Sequence, residues 1–448
     1  MEKHYVMPCC TPTRAALLTG RHPIRYGLQN GLIRSREPRG LDLGERLLPE
    51  HLRARGYATH IMGKWHLGQC SWEHTPVKRG FDSFYGHFGG LRYWEKDYEG
   101  GLFDFRHDTE GANGEVKEEV LWNTNTTYYT DVMGARARDL VAEHNPDQPL
   151  FLYFPLFNIH YPWEVPKRYE EMYNGKGLTD KRKTILGMFT AMDDVVANLV
   201  DALKARGMWE NTLFVFMSDN GAPSKTGSKD NAPLKGSKFT LWEGGVRSPT
   251  FIYSPSLQGG YKSDILMGVT DWVPTLLRLA SGSSCLRDPD CRKTYVGEID
   301  GVDQWDAITR QVPTSRRNEL LLNINPVVNT AALIVTPWKL ILAKSSTQYS
   351  QNLLSTASHP ICEGGDKLKI VGPFRLYNLD LDPVENKNLL HLGTRHAHRE
   401  IFCEMLERLG HYQGLAVEPR NLEYLDQKPQ QAKDGVLRPW REAADCSA

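Results

Sequence analysis

The chain has 448 residues, of which 40% are hydrophobic, and its 54 Lys and Arg residues balance 54 Asp and Glu residues. This neutral balance gives no support to nucleic acid or an anionic membrane surface as a partner. The longest apolar runs fall short of the roughly 18 residues that a membrane-spanning helix needs, so we expect no membrane span.

The first predicted element is a helix that follows two adjacent cysteines. "CTPTRAALLTGR" begins at Cys10 and reads as a helical run, which puts Cys10 at or just before a helix N-terminus. Such a position favours negative charge and a reactive thiol. Cys10 fits the pattern Cys-x-Pro-x-Arg, whereas Cys9 lies one position too far from Pro12. A buried structural cysteine beside a proline is the ordinary alternative.

Three apolar runs predict strands of an α/β domain. They lie at residues 57–68, 149–162 and 212–221, and each ends in polar residues. Near-continuous apolar runs are typical of strands covered on both faces. Between the second and third runs, apolar residues recur every three or four positions and predict a long amphipathic helix that ends at Gly207. We expect a doubly wound mixed sheet flanked by helices.

Polar side chains follow these runs, and sites in doubly wound folds lie at the carboxyl ends of the strands. Lys64 and His66 are two residues apart and would point the same way in an extended strand. Core histidines, solvated lysines and a turn-capping Asp-Asn pair are the ordinary interpretations. Together the groups predict one site on the rim of one sheet. The candidate residues are Cys10, Arg14, Lys64, His66, His160, Asp219, Asn220 and Lys238.

The organisation changes near residue 320. Two strand-like regions, "NTAALIVTPWKLILAK" and "PFRLYNLDLDPVENKNLL", precede a polar helix near residues 395–412. This pattern predicts a smaller C-terminal α+β domain at residues 319–448, after a catalytic domain at residues 1–318.

Cysteine usage indicates a secretory protein. Eight cysteines and the glycosylation sequon at Asn125 fit an oxidising compartment better than the cytosol. Cys285 and Cys291 are close enough in sequence for a local disulfide, and the remaining pairing cannot be deduced from spacing.

An ordered set of motifs over nearly the whole chain resembles the sulfatase family of the alkaline-phosphatase-like superfamily. The segments are "CTPTRAALLTGR", "GYATHIMGKWHLG", "KRGFDSFYGHFGG", "SDNGA", "LKGSKFTLWEGGVRSP", "DGVDQWDAI" and "LYNLDLDPVENKNLL". "LLLNINP" and "KPQQAKDGVLRPW" resemble the arylsulfatase B, or N-acetylgalactosamine-4-sulfatase, subgroup. The resemblance implies hydrolysis of sulfate esters on glycosaminoglycan sugars such as N-acetylgalactosamine 4-sulfate, by a lysosomal or secreted glycoprotein.

The resemblance also implies the nucleophile and the metal. A formylglycine-generating enzyme, the partner during maturation, would oxidise Cys10 to Cα-formylglycine, whose hydrated aldehyde attacks the sulfur. Calcium would activate this diol, and Asp219, Asn220 and the diol at position 10 match family ligands. Calcium takes about six to eight oxygen ligands.

The basic candidates receive roles from the same resemblance. Arg14 and Lys64 would hold the formylglycine and the developing charge. His66 would take the proton of the second hydroxyl during sulfate release. His160 and Lys238 would bind the sulfate oxygens, and one of them would protonate the leaving oxygen.

One feature departs from the family pattern. In sulfatases a strand that ends in an Asp-Asp pair of calcium ligands comes before the cysteine motif. Here only nine residues precede Cys10, and Glu2 is the one acidic residue among them. We therefore expect a truncated form that lacks this first strand, two metal ligands and the signal peptide. A catalytically inactive sulfatase-like binding protein and a formylglycine phosphodiesterase or phosphonate hydrolase are the alternative functions.

Overall fold

The computed structural model describes residues 1–35, 37–98, 101–111, 113–124, 126–224, 230–281, 299–310, 315–342, 362, 374–390, 395–420 and 434–446. Asn125, Cys285 and Cys291, which the sequence singled out, lie outside the described residues. Within the described part of the chain, no helix combines the length and apolar character needed to cross a bilayer.

The chain divides into two compact units. The first unit comprises Met1–Leu32, Val215–Ile252 and Gly259–Glu423, and the second comprises Ile33–Phe214, Tyr253–Gln258 and Tyr424–Ala448. The division of the sequence at residues 318 and 319 stays a prediction.

Strands and helices alternate along much of the chain. The strands are β1 (Lys3–Tyr5), β2 (Ala58–Lys64), β3 (Ser83–His87), β4 (Asp97–Tyr98), β5 (Leu102–Phe103), β6 (Arg106–Glu110), β7 (Val116–Val120), β8 (Leu150–Tyr153), β9 (Phe214–Met217), β10 (Thr250–Tyr253), β11 (Leu266–Gly268), β12 (Glu319–Asn325), β13 (Thr330–Val335), β14 (Trp338–Leu342) and β15 (Phe374–Asn378). The helices are α1 (Cys10–Thr19), α2 (Leu48–Arg53), α3 (Tyr129–Glu143), α4 (Lys167–Glu171), α5 (Asp180–Ala205), α6 (Glu243–Val246), α7 (Trp272–Ser281), α8 (Trp305–Ile308) and α9 (Arg399–Gly414).

The second unit is built on a five-stranded mixed sheet with the order β7-β6-β3-β2-β8. Strand β2 is parallel to β3 and β8, while β6 is antiparallel to β3 and β7. Helices α3 and α5 share an apolar core with this sheet, in which Met62, Leu140, Met188 and Leu199 are buried. Lys64 is the last residue of β2 and so lies at the carboxyl end of this strand.

The long amphipathic helix is confirmed as α5. Its N-cap residue is Thr179, whose hydroxyl accepts a hydrogen bond from the Arg182 amide at 3.3 Å. Its buried face repeats every three or four residues, as the sequence predicted. Gly207 follows the helix with a φ of +68°, a conformation that glycine adopts without a Cβ clash.

The first unit combines the pair β1 and β11, the pair β9 and β10, and the four-stranded sheet β12-β13-β14-β15. Strand β1 is parallel to β11, and the four-stranded sheet is antiparallel. Helix α9 covers one face of that sheet, with Phe402, Met405 and Leu406 in the shared core. The mixed α/β architecture with a smaller C-terminal sheet confirms the predicted fold class.

Two disulfides lie in the described residues, and the sequence did not predict either pairing. Cys362 pairs with Cys403 in the first unit, and Cys70 pairs with Cys446 in the second. Both are consistent with folding in an oxidising compartment.

Candidate active site

Helix α1 positions the thiol of Cys10. The helix begins at Cys10, as predicted, and Cys9 is its N-cap residue with extended backbone angles, φ −160° and ψ 172°. The Cys9 thiol donates to the Gly31 carbonyl at 3.3 Å. The Cys10 thiol donates instead to Asn220 Oδ1 at 3.3 Å. The two adjacent thiols therefore donate to different acceptors, and the acceptor of the Cys10 thiol is a candidate site residue.

Residues that follow strand β9 are joined to the start of α1. The Arg14 guanidinium binds Asp219 Oδ2 through Nη2 at 2.8 Å and through Nε at 3.2 Å. The Thr13 hydroxyl donates to the Asp219 carbonyl at 2.7 Å. These contacts fix the Asp219-Asn220 pair beside Cys10, so the helix and the strand end form one polar cluster.

Lys238 reaches the same cluster from a glycine-containing loop. Its Nζ lies 3.3 Å from Cys10 Sγ, and its amide donates to the Ala222 carbonyl at 3.1 Å. Burial works against the charge of the Lys238 ammonium, but Cys10 and Asp219 outweigh burial and raise its pKa. The ammonium is therefore charged at neutral pH and stabilises negative charge at the position of the Cys10 sulfur.

Two further candidates lie near the same aromatic ring in the second unit. Lys64 Nζ is 5.3 Å from the ring centroid of Phe157, and the His160 and Phe157 ring centroids are 4.6 Å apart. The Lys64 amide donates to the Pro155 carbonyl at 2.9 Å. Phe157 is buried, and as one more apolar residue of an apolar run it carried no functional signal in the sequence.

The expected geometry of His66 is wrong. Strand β2 ends at Lys64, and the chain then turns so that His66 has a left-handed φ of +60°. Its amide donates to the Phe88 carbonyl at 2.8 Å. Lys64 and His66 therefore do not share one face of an extended strand. The buried Trp65 between them, which is 0% exposed, holds this turn in the interior.

The structure brings five of the eight candidates into contact. Cys10, Arg14, Asp219, Asn220 and Lys238 form the cluster in the first unit, which we call the Cys10 cluster. Lys64, His66 and His160 belong to the second unit. Strands β2 and β8 are part of the five-stranded sheet, whereas β9 pairs with β10, so the prediction of one rim on one continuous sheet is wrong for the described strands.

The residues of the Cys10 cluster do not by themselves fit calcium. Asp219 and Asn220 offer side-chain oxygens, but Asp219 already binds Arg14 and Asn220 accepts from the Cys10 thiol. Across the described ranges, no group of three or more His, Cys, Asp or Glu side chains could hold a metal ion. Calcium takes about six to eight oxygen ligands, so we derive no catalytic step through it.

Sequence reasoning missed the residues that hold the Lys238 loop. Asn231 binds the amide and the carbonyl of Ala222, both at 2.9 Å, through its side-chain amide. The buried Glu243 begins helix α6, which packs on the same loop. Glu243 stood in the quoted motif "TLWEGGVRSP", but a buried acid has no signature in one sequence.

Comparisons with known proteins identify the family of the chain. The family model described as Sulfatase matches residues 1–283. Arylsulfatase J of Mus musculus is 32% identical over 98% of this chain and 74% of its own length. N-acetylgalactosamine-6-sulfatase of Rattus norvegicus is 33% identical over 70% of this chain and 60% of its own length.

A solved structure shows a similar fold. The crystal structure of Ps i-CgsB in complex with k-i-k-neocarrahexaose matches with a TM-score of 0.74 and 25% identity, over 94% of this chain and 85% of that one. Because the family model spans more than half of the chain and the similarity to arylsulfatase J extends over almost all of it, the chain belongs to the sulfatase family of sulfuric ester hydrolases.

Proposed function

We propose that this sulfuric ester hydrolase acts on sulfated glycosaminoglycan sugars, with Cys10 oxidised to Cα-formylglycine as its nucleophile. The observation that supports this most is the contact of Cys10 Sγ with Lys238 Nζ at 3.3 Å, at the N-terminus of α1. The helix N-terminus and the ammonium both favour the anion that forms there when a sulfate ester is attacked.

The proposed reaction has two steps at residue 10. Water adds to the formylglycine aldehyde and gives a geminal diol. One hydroxyl oxygen attacks the sulfur, the bond from sulfur to the ester oxygen breaks, and the alcohol leaves with a proton. The second hydroxyl then loses its proton, the C=O bond forms again, and sulfate is expelled. A serine at this position would lack the second hydroxyl and would stay sulfated.

Cationic side chains would stabilise the charge that this reaction builds up. Lys238 and Arg14 carry positive charge in the Cys10 cluster, and Asp219 neutralises Arg14. The Lys238 ammonium lies beside residue 10 and would bind a sulfate oxygen. Removal of one such group in an enzyme site commonly lowers kcat by about 100-fold to 1,000-fold.

The family resemblance also gives proposed roles to the two histidines and to Lys64. His160 would bind sulfate and protonate the leaving oxygen, His66 would take the proton of the second hydroxyl, and Lys64 would hold the formylglycine. A positioned histidine contributes roughly 100-fold to 10,000-fold as an acid or base. The packing of Lys64 and His160 on Phe157 is consistent with fixed positions for both.

The substrate class rests on the relatives. One of them is an N-acetylgalactosamine-6-sulfatase, while motifs in this sequence resemble the 4-sulfatase subgroup, so we propose a sulfated N-acetylgalactosamine. The described disulfides are consistent with a lysosomal or secreted protein that folds in an oxidising compartment, and we propose that a formylglycine-generating enzyme is its partner during maturation. A calcium ion at Asp219 and Asn220 would need about four or more further oxygen ligands.

The test compares two adjacent cysteines in protein made together with a formylglycine-generating enzyme. We expect Cys10→Ser to abolish release of sulfate from an aryl sulfate and from sulfated N-acetylgalactosamine. Cys9→Ser is the matched control and should keep most of the turnover, because a serine hydroxyl can still donate to the Gly31 carbonyl as the Cys9 thiol does. Undiminished turnover in Cys10→Ser, or a preference for phosphate diesters over sulfate esters, would contradict the proposal.

A further inference from the structure

Phe239 combines two unfavourable features next to the Cys10 cluster. Its side chain is 59% exposed, although phenylalanine is among the residues most often buried. Its φ is +70°, in the left-handed region, which a bulky side chain rarely adopts. Strained backbone of this kind persists where the surroundings impose it, and it is concentrated at functional sites.

Hydrogen bonds on both sides impose this conformation. The Phe239 amide donates to the Pro8 carbonyl at 2.7 Å, two residues before Cys10. The Lys238 amide donates to the Ala222 carbonyl at 3.1 Å, and the Thr240 amide donates to the Ser237 carbonyl at 2.9 Å. The backbone is thus fixed against the segment that leads to the nucleophile. Glycine would meet the same backbone geometry without strain, so the fold does not account for a phenyl ring here.

The ring lies beside the cation that would bind sulfate. Lys238 Nζ is 5.5 Å from the Phe239 ring centroid and 3.3 Å from Cys10 Sγ. A sulfate ester whose oxygen binds the Lys238 ammonium would bring the group attached to its ester oxygen close to this ring. Exposed aromatic faces bind the apolar faces of ligand rings, while a few charged groups fix the polar end of the ligand.

We propose that Phe239 is the platform on which the sugar ring of the sulfate ester packs, and that it determines the preference for cyclic sugar sulfates over the bare sulfate ion. The proposal rests on the proposed function in one respect, namely that the anion bound at Lys238 is a sulfate. It adds a subsite for the part of the substrate that does not react.

The experiment separates the ring from the sulfate group. Phe239→Gly keeps the left-handed backbone available and removes the ring, while Phe239→Tyr keeps a ring of the same shape. For a sulfated N-acetylgalactosamine, we expect Phe239→Gly to raise KM about tenfold and to lower kcat less than that, as for lost uniform binding. Phe239→Tyr should restore KM to within about threefold of the original.

Inorganic sulfate is the probe that lacks a ring. Its inhibition constant should stay the same in Phe239→Gly and rise in Lys238→Ala. Phe189 is also exposed but lies on α5 in the second unit, so Phe189→Ala is the control for loss of a surface ring. The melting temperature of Phe239→Gly should equal or exceed that of the parent chain, because the strain is relieved.

Binding to the Cys10→Ser variant makes the result independent of turnover. Calorimetry with the sulfated sugar should give about tenfold weaker binding when Phe239→Gly is added. An unchanged dissociation constant would overturn the platform, even in an active enzyme. Loss of turnover in the parent chain together with a ring-dependent dissociation constant would overturn the proposed hydrolysis and leave the platform standing.

Discussion

Charge at the Cys10 cluster is set by a few contacts between single residues. Arg14 and Asp219 neutralise each other, and Lys238 adds one positive charge that points at Cys10. A site with this balance attracts an anion, as hydrolysis of a sulfate ester requires. The same balance explains why Asp219 is a poor start for a cation site, since its carboxylate oxygen already accepts two N–H groups of Arg14.

The sequence indicated which residues were candidates from their chemistry, but it did not predict how those residues are arranged. Cys10 could be distinguished from Cys9 by the position of Pro12, and the structure gives the two thiols different partners. His66 could be named as a candidate, but its direction depended on an assumed strand that ends two residues earlier. Phe239 carried no signal, because its importance rests on a φ angle and on exposure.

At the scale of elements, a buried ion network holds the helix that supports the Lys238 loop. Lys339 on β14 lies 2.7 Å from Glu243 Oε1 and 2.9 Å from Glu385 Oε1. The Glu243 amide donates to Glu385 Oε2 at 2.8 Å, and the hydroxyl of Tyr5 on β1 donates to Glu243 Oε2 at 2.9 Å. Burial opposes the charge of Lys339, but the two glutamates outweigh it and raise its pKa.

This network connects the strand before Cys10 with the loop that carries Lys238. Tyr5 lies on β1, which leads into Cys10, and Glu243 begins α6. The Gly244 amide of α6 donates to the Lys235 carbonyl at 2.7 Å, so the helix fixes the loop directly. A Cβ on Gly245 would lie 2.2 Å from the Thr240 carbonyl oxygen, which shows how closely helix and loop pack.

We predict that Lys339→Met destabilises the fold strongly. The change leaves two carboxylates buried without their cation, a situation that typically costs about 3–5 kcal/mol in the free energy of unfolding. Urea denaturation of the variant and the parent chain measures this loss in the free energy of unfolding. Lys3→Met is the control, because its ion pair with Asp380 is exposed and worth about 1 kcal/mol or less. A loss below about 1 kcal/mol in Lys339→Met would show that the network is not a structural anchor.

Elements with a clear periodicity were predictable, and elements with polar sequences were not. Helix α5 repeats an apolar face over 26 residues, so its existence and its end followed from the pattern. Strands β6 and β7, with the sequences "RHDTE" and "VKEEV", have no apolar alternation to reveal them. Residues 434–446 read as irregular, yet the disulfide from Cys70 to Cys446 ties this segment to the second unit, and spacing cannot give such a pairing.

At the scale of the whole molecule, buried neutral histidines make stability depend on pH. Desolvation by burial is the main cause that lowers the pKa of each one, to about 3 for His4 and to about 4 for His22, His60 and His74. In the unfolded chain these groups titrate near about 6.5. Between pH 6.5 and 4 the unfolded state therefore binds more protons than the folded state, and stability falls as pH falls.

Three acids act in the opposite direction, because burial raises the pKa of Asp108, Glu164 and Glu385. Burial raises the pKa of Asp108 to about 6, although the neighbouring Arg106 lowers it. The folded state therefore keeps a proton that the unfolded state loses between about pH 4 and pH 6, and this term favours the folded state as pH falls. Burial also lowers the pKa of His107, so five histidines oppose three carboxyls and the histidines dominate the pH dependence of stability.

We predict that the free energy of unfolding is lower at pH 5 than at pH 7 by several kcal/mol. Urea denaturation at the two pH values, at equal ionic strength, measures the difference. His60 is half-buried, so His60→Gln is the variant that tests the cause, and it should reduce the pH dependence. Equal or greater stability at pH 5 would show that these histidines are protonated in the folded protein.

The chemical identity of residue 10 connects the fold, the cluster and the reaction. Peptide mass spectrometry can determine the identity of residue 10 in protein made in a eukaryotic secretory host. The release of sulfate from sulfate esters is measured on the same preparation. We predict that residue 10 has lost sulfur and gained oxygen as an aldehyde, in proportion to turnover, and that Cys9 retains its sulfur. Full turnover by a preparation in which Cys10 is unmodified would contradict this assignment of the nucleophile.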